Sequence, residues 1–280
     1  MKERKSIVTF LILVTFFSAI VDFIWIRGGE AATVKGISAL LMWCPGAAAL
    51  IVRRIYYKSQ SLLGFNKCKP NYLIAAVLIP LAYIALSYGL YWLINSGSFL
   101  GRLNIPTQVA ANYTDKVRTD SAAAALITWA VTVISSIVAD AGEEIGWRGF
   151  LLPQMTKIWS FKKAVIVSGL IWAVWHMPII FAGLYNSGTP IWYGLPMFTI
   201  DILAFTIIIS ILRMESKSIW PAIFIHAFHN NFDQVIFGPM TIGSAKVYYV
   251  GETGIITIVA IILSAVLTVR YFRRKPIEEI

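Results

Sequence analysis

Apolar positions along this 280-residue chain do not alternate and do not form narrow helical stripes; they collect in long blocks separated by short polar stretches. A hydrocarbon core takes about 20 helical residues to cross. Eight blocks meet that length approximately, at 6–26, 36–52, 72–94, 121–141, 163–183, 191–212, 218–237 and 253–272. The second is short, and Pro45-Gly46 interrupts it. The fourth runs on without a proline through GEEIGWRGF to Pro153, which predicts one long helix emerging into the cytoplasm. The expected fold is all-α and polytopic, with about eight transmembrane helices.

Composition supports the pattern. Hydrophobic residues make up 58% of the chain and charged residues 14%, far more apolar surface than a water-soluble domain of this length needs. The net charge of +10 would suit a nucleic-acid binder, but the basic residues lie in the short connections between blocks, where they act as topology signals. With the N-terminus inside, 17 Lys and Arg fall on the cytoplasmic side. Six fall outside: Arg27, Lys35, Arg102, Lys116, Arg118 and Lys246. Both termini are therefore expected in the cytoplasm, the plasma membrane being the site if the source is bacterial, with the bilayer as partner and no nucleic acid. The opening MKERK followed by about twenty apolar residues exceeds a signal-peptide core and reads as an uncleaved first span. Cys44 sits inside an apolar block and Cys68 in a basic loop, a poor disulfide pair. Asn112-Tyr113-Thr114, in the outside loop of about 95–120, fits the three-residue glycosylation pattern.

Ionisable groups at membrane depth are costly and so mark function. They are Asp22, Asp140, Glu143, Glu144, Arg148, His176, Asp201, His226, His229 and Asp233, a set that holds all three histidines of the chain. On a helix Glu144 and Arg148 are i and i+4 with the acid first, the favourable order for an ion pair. Glu143 is turned away by about 100° and lacks an evident local partner, which leaves it free for general-base work. The alternative is that both acids simply meet the cytoplasmic interface. His176 follows Trp172 by four residues near the helix-bending Pro178, and could equally be a packing histidine. His226 and Asn230 share a helix face and offer donors to a developing oxyanion, or else bond neighbouring helices. His229 and Asp233, again i and i+4, read as a local pair. Asp201 could orient the His176 ring or make a helix-packing bond. No GxSxG and no HExxH is present, so a serine elbow and a zincin helix are excluded.

Glu143-Glu144-xxx-Arg148, Trp172-xxx-His176 and His226-xxx-Asn230, in that order on separate spans, resemble the intramembrane proteases of the CPBP or ABI family. This family comprises type II CAAX prenyl endopeptidases and bacteriocin-processing proteins. Trp172 stands where the family usually has Phe. The resemblance implies a catalytic helical core over 121–237, preceded by about three spans and an outside loop in 1–120 and followed by a last span and basic tail in 238–280. It implies that Glu143 and His176 activate water, that His226 and Asn230 form the oxyanion site, and that Glu144 and Arg148 support them. The implied substrate is a membrane-associated or prenylated peptide, or a bacteriocin-like precursor, reaching a cavity from the cytoplasmic leaflet or the membrane.

Two further expectations complete the reading. Glu143, His176 and His226 would make a two-histidine, one-carboxylate set for a divalent ion such as zinc. A metal-free site is favoured, because HxxxN offers one obvious ligand on its face. The rival classes are a transporter, for which internal repeats are expected and none is visible, and a non-enzymatic immunity or interaction protein, which would be free to lose these residues.

Overall fold

The computed structural model describes residues 1–34, 36–58, 63–101 and 122–273. Lys35, Arg102, Lys116, Arg118, the Asn112-Tyr113-Thr114 pattern and the end of the basic tail lie outside the described residues. The chain forms α1 (Lys2–Val34), α2 (Ile37–Tyr56), α3 (Pro70–Ile94) and α4 (Ala122–Glu144). A π-helical turn, Ile145–Leu151, joins α4 to α5 (Leu152–Thr156). Then come α6 (Phe161–Phe181), α7 (Ile191–Ser216) and α8 (Trp220–Asn230), a second π-helical stretch Asn231–Phe237, and α9 (Ile255–Arg273). Among the described residues seven helices are long and apolar enough to cross a membrane, one of them the 31-residue run Leu126–Thr156. This is an all-α polytopic membrane protein.

The predicted seventh span, 218–237, differs from the others: α8 has only 11 residues before the helix widens into its π segment. Ala222, Ile223, Ile225 and Ala227 are all fully buried, and His226 and His229 are buried as well. It packs against α3, α4 and α7, so it is enclosed by protein where a lipid-facing helix would need an apolar surface.

Pro45-Gly46 was expected to interrupt the second span, yet α2 runs through it. The small residues serve close packing against α4. A Cβ on Gly46 would come within 2.7 Å of the Gly142 carbonyl oxygen, and one on Gly142 within 2.7 Å of the Met42 carbonyl. Gly146 fits against Pro45 with no room for a methyl. Glycines at such crossings let membrane helices approach until their backbones touch. The contact fixes the end of α4, where the carboxylates begin.

Candidate active site

Three helices and a π-helical turn bring the chemistry together. Asp140, Glu144 and Arg148 follow one another at intervals of four along the inward face of α4 and its extension. Glu144 and Arg148 form the expected ion pair, with Nη1 donating to Oε1 at 3.0 Å, and both side chains are buried. The second guanidinium nitrogen donates to Thr206 Oγ1 on α7 at 3.2 Å, and the planar group lies 4.0 Å from the centre of the Trp172 ring. Arginine suits this place because its flat fork can pair with a carboxylate and stack on an indole at once. His226 Nδ1 donates to the same Glu144 oxygen at 2.9 Å, tying α8 to α4.

Glu143 faces another way, as the helix phase requires. It is not without partners, however: the Trp172 indole N–H donates to Oε2 at 2.7 Å and the Trp147 indole N–H at 3.3 Å. Both bonds converge on one oxygen. No hydrogen bond among the described residues uses Oε1, and Glu143 lines the cavity.

His176 lies one turn beyond Trp172. Its Nδ1 is 2.9 Å from the Trp172 carbonyl oxygen, which can only accept, so Nδ1 carries the hydrogen and Nε2 presents its lone pair. The ring is stacked on Tyr185 at 5.7 Å and packed edge-on against Trp175 and Phe198. Asp201 does not orient it; no hydrogen bond joins them, and Asp201 Oδ1 is buried without a partner.

His226 and Asn230 share a face, as their spacing predicts, and each already donates once to a buried carboxylate. Asn230 Nδ2 donates to Asp140 Oδ1 at 3.0 Å, and His226 Nε2 lies 3.7 Å from the same oxygen. Asp140 thus supports both proposed oxyanion donors, a role the sequence reading did not assign. Its place one turn before Glu144 was the available signal. The expected His229–Asp233 pair does not form. His229 Nδ1 bonds Tyr83 OH on α3, and Asp233 Oδ1 accepts from Tyr88 OH at 2.9 Å. Both side chains are taken up instead by the tyrosines of α3, and a π-helical stretch begins at Asn231 between them.

Glu143, Trp172, His176, Asp201, His226 and Asn230 line one cavity of about 310 Å³, within the range of small-ligand sites. Glu252, a residue between the last two helices that the sequence did not single out, lines it too. Tyr185 OH donates to both its oxygens at 2.7 and 2.6 Å, Asn186 Nδ2 to Oε2 at 2.7 Å, and Gln234 Nε2 to Oε1 at 3.1 Å. Burial holds the Tyr185 hydroxyl well above the usual phenol range, so it remains a donor.

The residues do not fit a metal ion. Among the described residues no group of three or more His, Cys, Asp or Glu side chains could hold one. The ring nitrogens of His226 face the Glu144 and Asp140 carboxylates, so the three-ligand set Glu143, His176 and His226 is not assembled.

The helical bundle thus gathers a buried acid and histidines, residue types that a hydrolytic site would use, around one cavity. Comparison with known proteins narrows the reading. Residues 125–232 match the family described as type II CAAX prenyl endopeptidase Rce1-like. A CAAX prenyl protease 2 from Methanococcus maripaludis is 37% identical over 101 residues, which cover 34% of this chain and 36% of the relative's length. The resemblance read from the three motifs is thereby supported, over the stretch that carries them.

Proposed function

We propose that the chain is an intramembrane endopeptidase of the CAAX type, hydrolysing a peptide bond with water activated by Glu143. The observation that carries this reading is the division of labour between adjacent carboxylates. Glu144 is held through Oε1 by the charged Arg148 and by His226 and does not line the cavity, whereas Glu143 is held through Oε2 by two neutral indoles and lines it. A held carboxylate with a free lone pair is the geometry of a general base.

In the proposed reaction Glu143 Oε1 and the Nε2 lone pair of His176 position a water molecule. Glu143 takes its proton as the water oxygen bonds to the scissile carbonyl carbon. The resulting oxyanion faces the remaining N–H of Asn230 and the Nε2–H that His226 carries as an imidazolium, with both side chains held by Asp140 and Glu144. The proton on Glu143 then passes to the amide nitrogen as the C–N bond breaks, which restores the carboxylate. Donors already oriented in this way cost no reorganisation as charge develops.

Substrates of this site are membrane-associated peptides, whether prenylated at a CAAX end or unprenylated like a bacteriocin precursor. The test is to incubate purified protein with a library of membrane peptides and look for fragments by mass spectrometry. Defined cleavage products are expected. A transporter or an immunity protein would release none.

A further inference from the structure

The cavity is not placed symmetrically in the bundle. Its deep wall is Glu143, Trp172, His176 and His226, all buried. Its remaining wall includes Thr33, Ser38, Tyr185, Gln234 and Glu252. Thr33 closes α1, Ser38 opens α2, Tyr185 follows α6, Gln234 lies in the extension of α8, and Glu252 precedes α9. With helices running alternately up and down, all five positions belong to one end of the bundle. The start of α1 and the end of α9 lie at the other. Thr33 and Gln234 are exposed, so the lining passes from buried at the carboxylates to open at that end.

The opposite direction is packed shut. Phe10, Phe150, Leu151, Leu152 and Ile219 are all fully buried, and Phe10 packs on Trp147 and Phe150 with ring centres at 5.7 and 5.3 Å. Arg213 Nε donates to the Arg148 carbonyl at 3.1 Å and fills the space under Gly64. Among the described residues, none from the connections at that end lines the cavity. On the open side a second hollow of about 350 Å³, with Asp233 and Lys246 on its wall, shares Gln234 and Glu252 with the first. The way in is therefore rimmed by hydrogen-bonding groups, which suit a peptide backbone better than an acyl chain.

We infer that the site is entered from the membrane face opposite the termini. Given the cytoplasmic termini that the charge bias predicts, its substrate is a peptide presented on the extracytoplasmic side, either exported or the outer segment of a membrane-anchored chain. This departs from the cytoplasmic entry expected from the sequence, and it rests on the proposal that this cavity is where cleavage occurs.

Labelling tests it without depending on catalysis. Cys44 and Cys68 are replaced by Ala, and a single cysteine is introduced by Gln234→Cys, by Thr33→Cys, or by Lys162→Cys at the terminus end. Intact cells are treated with a membrane-impermeant maleimide, then permeabilised and treated again. The inference expects Gln234→Cys and Thr33→Cys to label in intact cells, and Lys162→Cys only after permeabilisation. It further expects a bulky maleimide at Gln234→Cys to reduce cleavage at least tenfold. Labelling of Gln234→Cys and Thr33→Cys only after permeabilisation, or unchanged cleavage with the adduct in place, overturns it. A protein that cleaves nothing but labels as expected would refute the peptidase reading and leave the direction of entry standing.

Discussion

His226 Nδ1 lies 2.9 Å from Glu144 Oε1, the oxygen that also receives Arg148 at 3.0 Å. One buried carboxylate oxygen therefore holds together α8 and the end of α4, and through the arginine also reaches Thr206 on α7. Three motifs separate in sequence meet in the fold: His226 and Arg148 bond Glu144, and Trp172 bonds Glu143 while its ring stacks on Arg148.

Arg148→Ala breaks this arrangement. It leaves Glu144 buried without its charge partner, a loss that typically costs about 3–5 kcal/mol. The variant should accumulate poorly and melt well below the parent. Arg148→Lys should not restore it, since an ammonium cannot pair with Glu144, reach Thr206 and stack on Trp172 together. Expression level and thermal unfolding in detergent measure both, and a parental melting temperature for either variant contradicts the account.

Asp140→Asn tests a residue that the motifs do not include. The amide keeps the shape but weakens the bond from Asn230 and the attraction to His226. Turnover should fall roughly 10- to 100-fold, less than the roughly 100- to 1000-fold cost of removing an oxyanion donor outright, because the donors stay but lose their orientation. Thermal stability should change little by comparison. Steady-state cleavage of a defined peptide, together with a melting curve, separates the two effects.

How much was legible beforehand follows from which contacts are local. The Glu144–Arg148 pair and the turned-away Glu143 could be read because both depend only on helix phase within one turn. The indole bonds to Glu143 could not, because Trp172 comes from another helix and its spacing marks only an aromatic. His229 and Asp233 misled because their partners, Tyr83 and Tyr88, come from another helix, which local spacing cannot show. Pro45-Gly46 misled in the opposite way: a breaker in water is a close-packing device when another helix covers it. Glu252 gave no signal, since its partners Tyr185, Asn186 and Gln234 meet only in the folded bundle.

Gly142→Ala probes that close-packing device. Its methyl would meet the Met42 carbonyl oxygen at 2.7 Å and the Trp43 Cα at 2.8 Å, neither able to move without shifting α2. Overpacking of this kind costs about 1–3 kcal/mol. A lowered melting temperature is expected, along with reduced cleavage because Glu143 is the next residue. A variant as stable and active as the parent would show that the α2–α4 contact does not set the position of the carboxylates.

Metal removal tests the reading of the ligands. With the His226 ring nitrogens facing Glu144 and Asp140, dialysis against a strong chelator should leave turnover within about twofold of the untreated protein. Activity that disappears and returns only with added zinc would mean that Glu143, His176 and His226 rearrange around an ion.

The most direct measurement is cleavage by Glu143→Gln. The amide keeps the size of the side chain and can still accept the Trp172 and Trp147 indole N–H groups through its oxygen, so insertion and folding should match the parent. It cannot take a proton from water, so peptide cleavage should fall at least 1000-fold, roughly 4 kcal/mol of lost transition-state stabilisation, while the substrate still binds and can be captured. Cleavage by Glu143→Gln at the parental rate would contradict the account, leaving this carboxylate a structural charge and the base elsewhere.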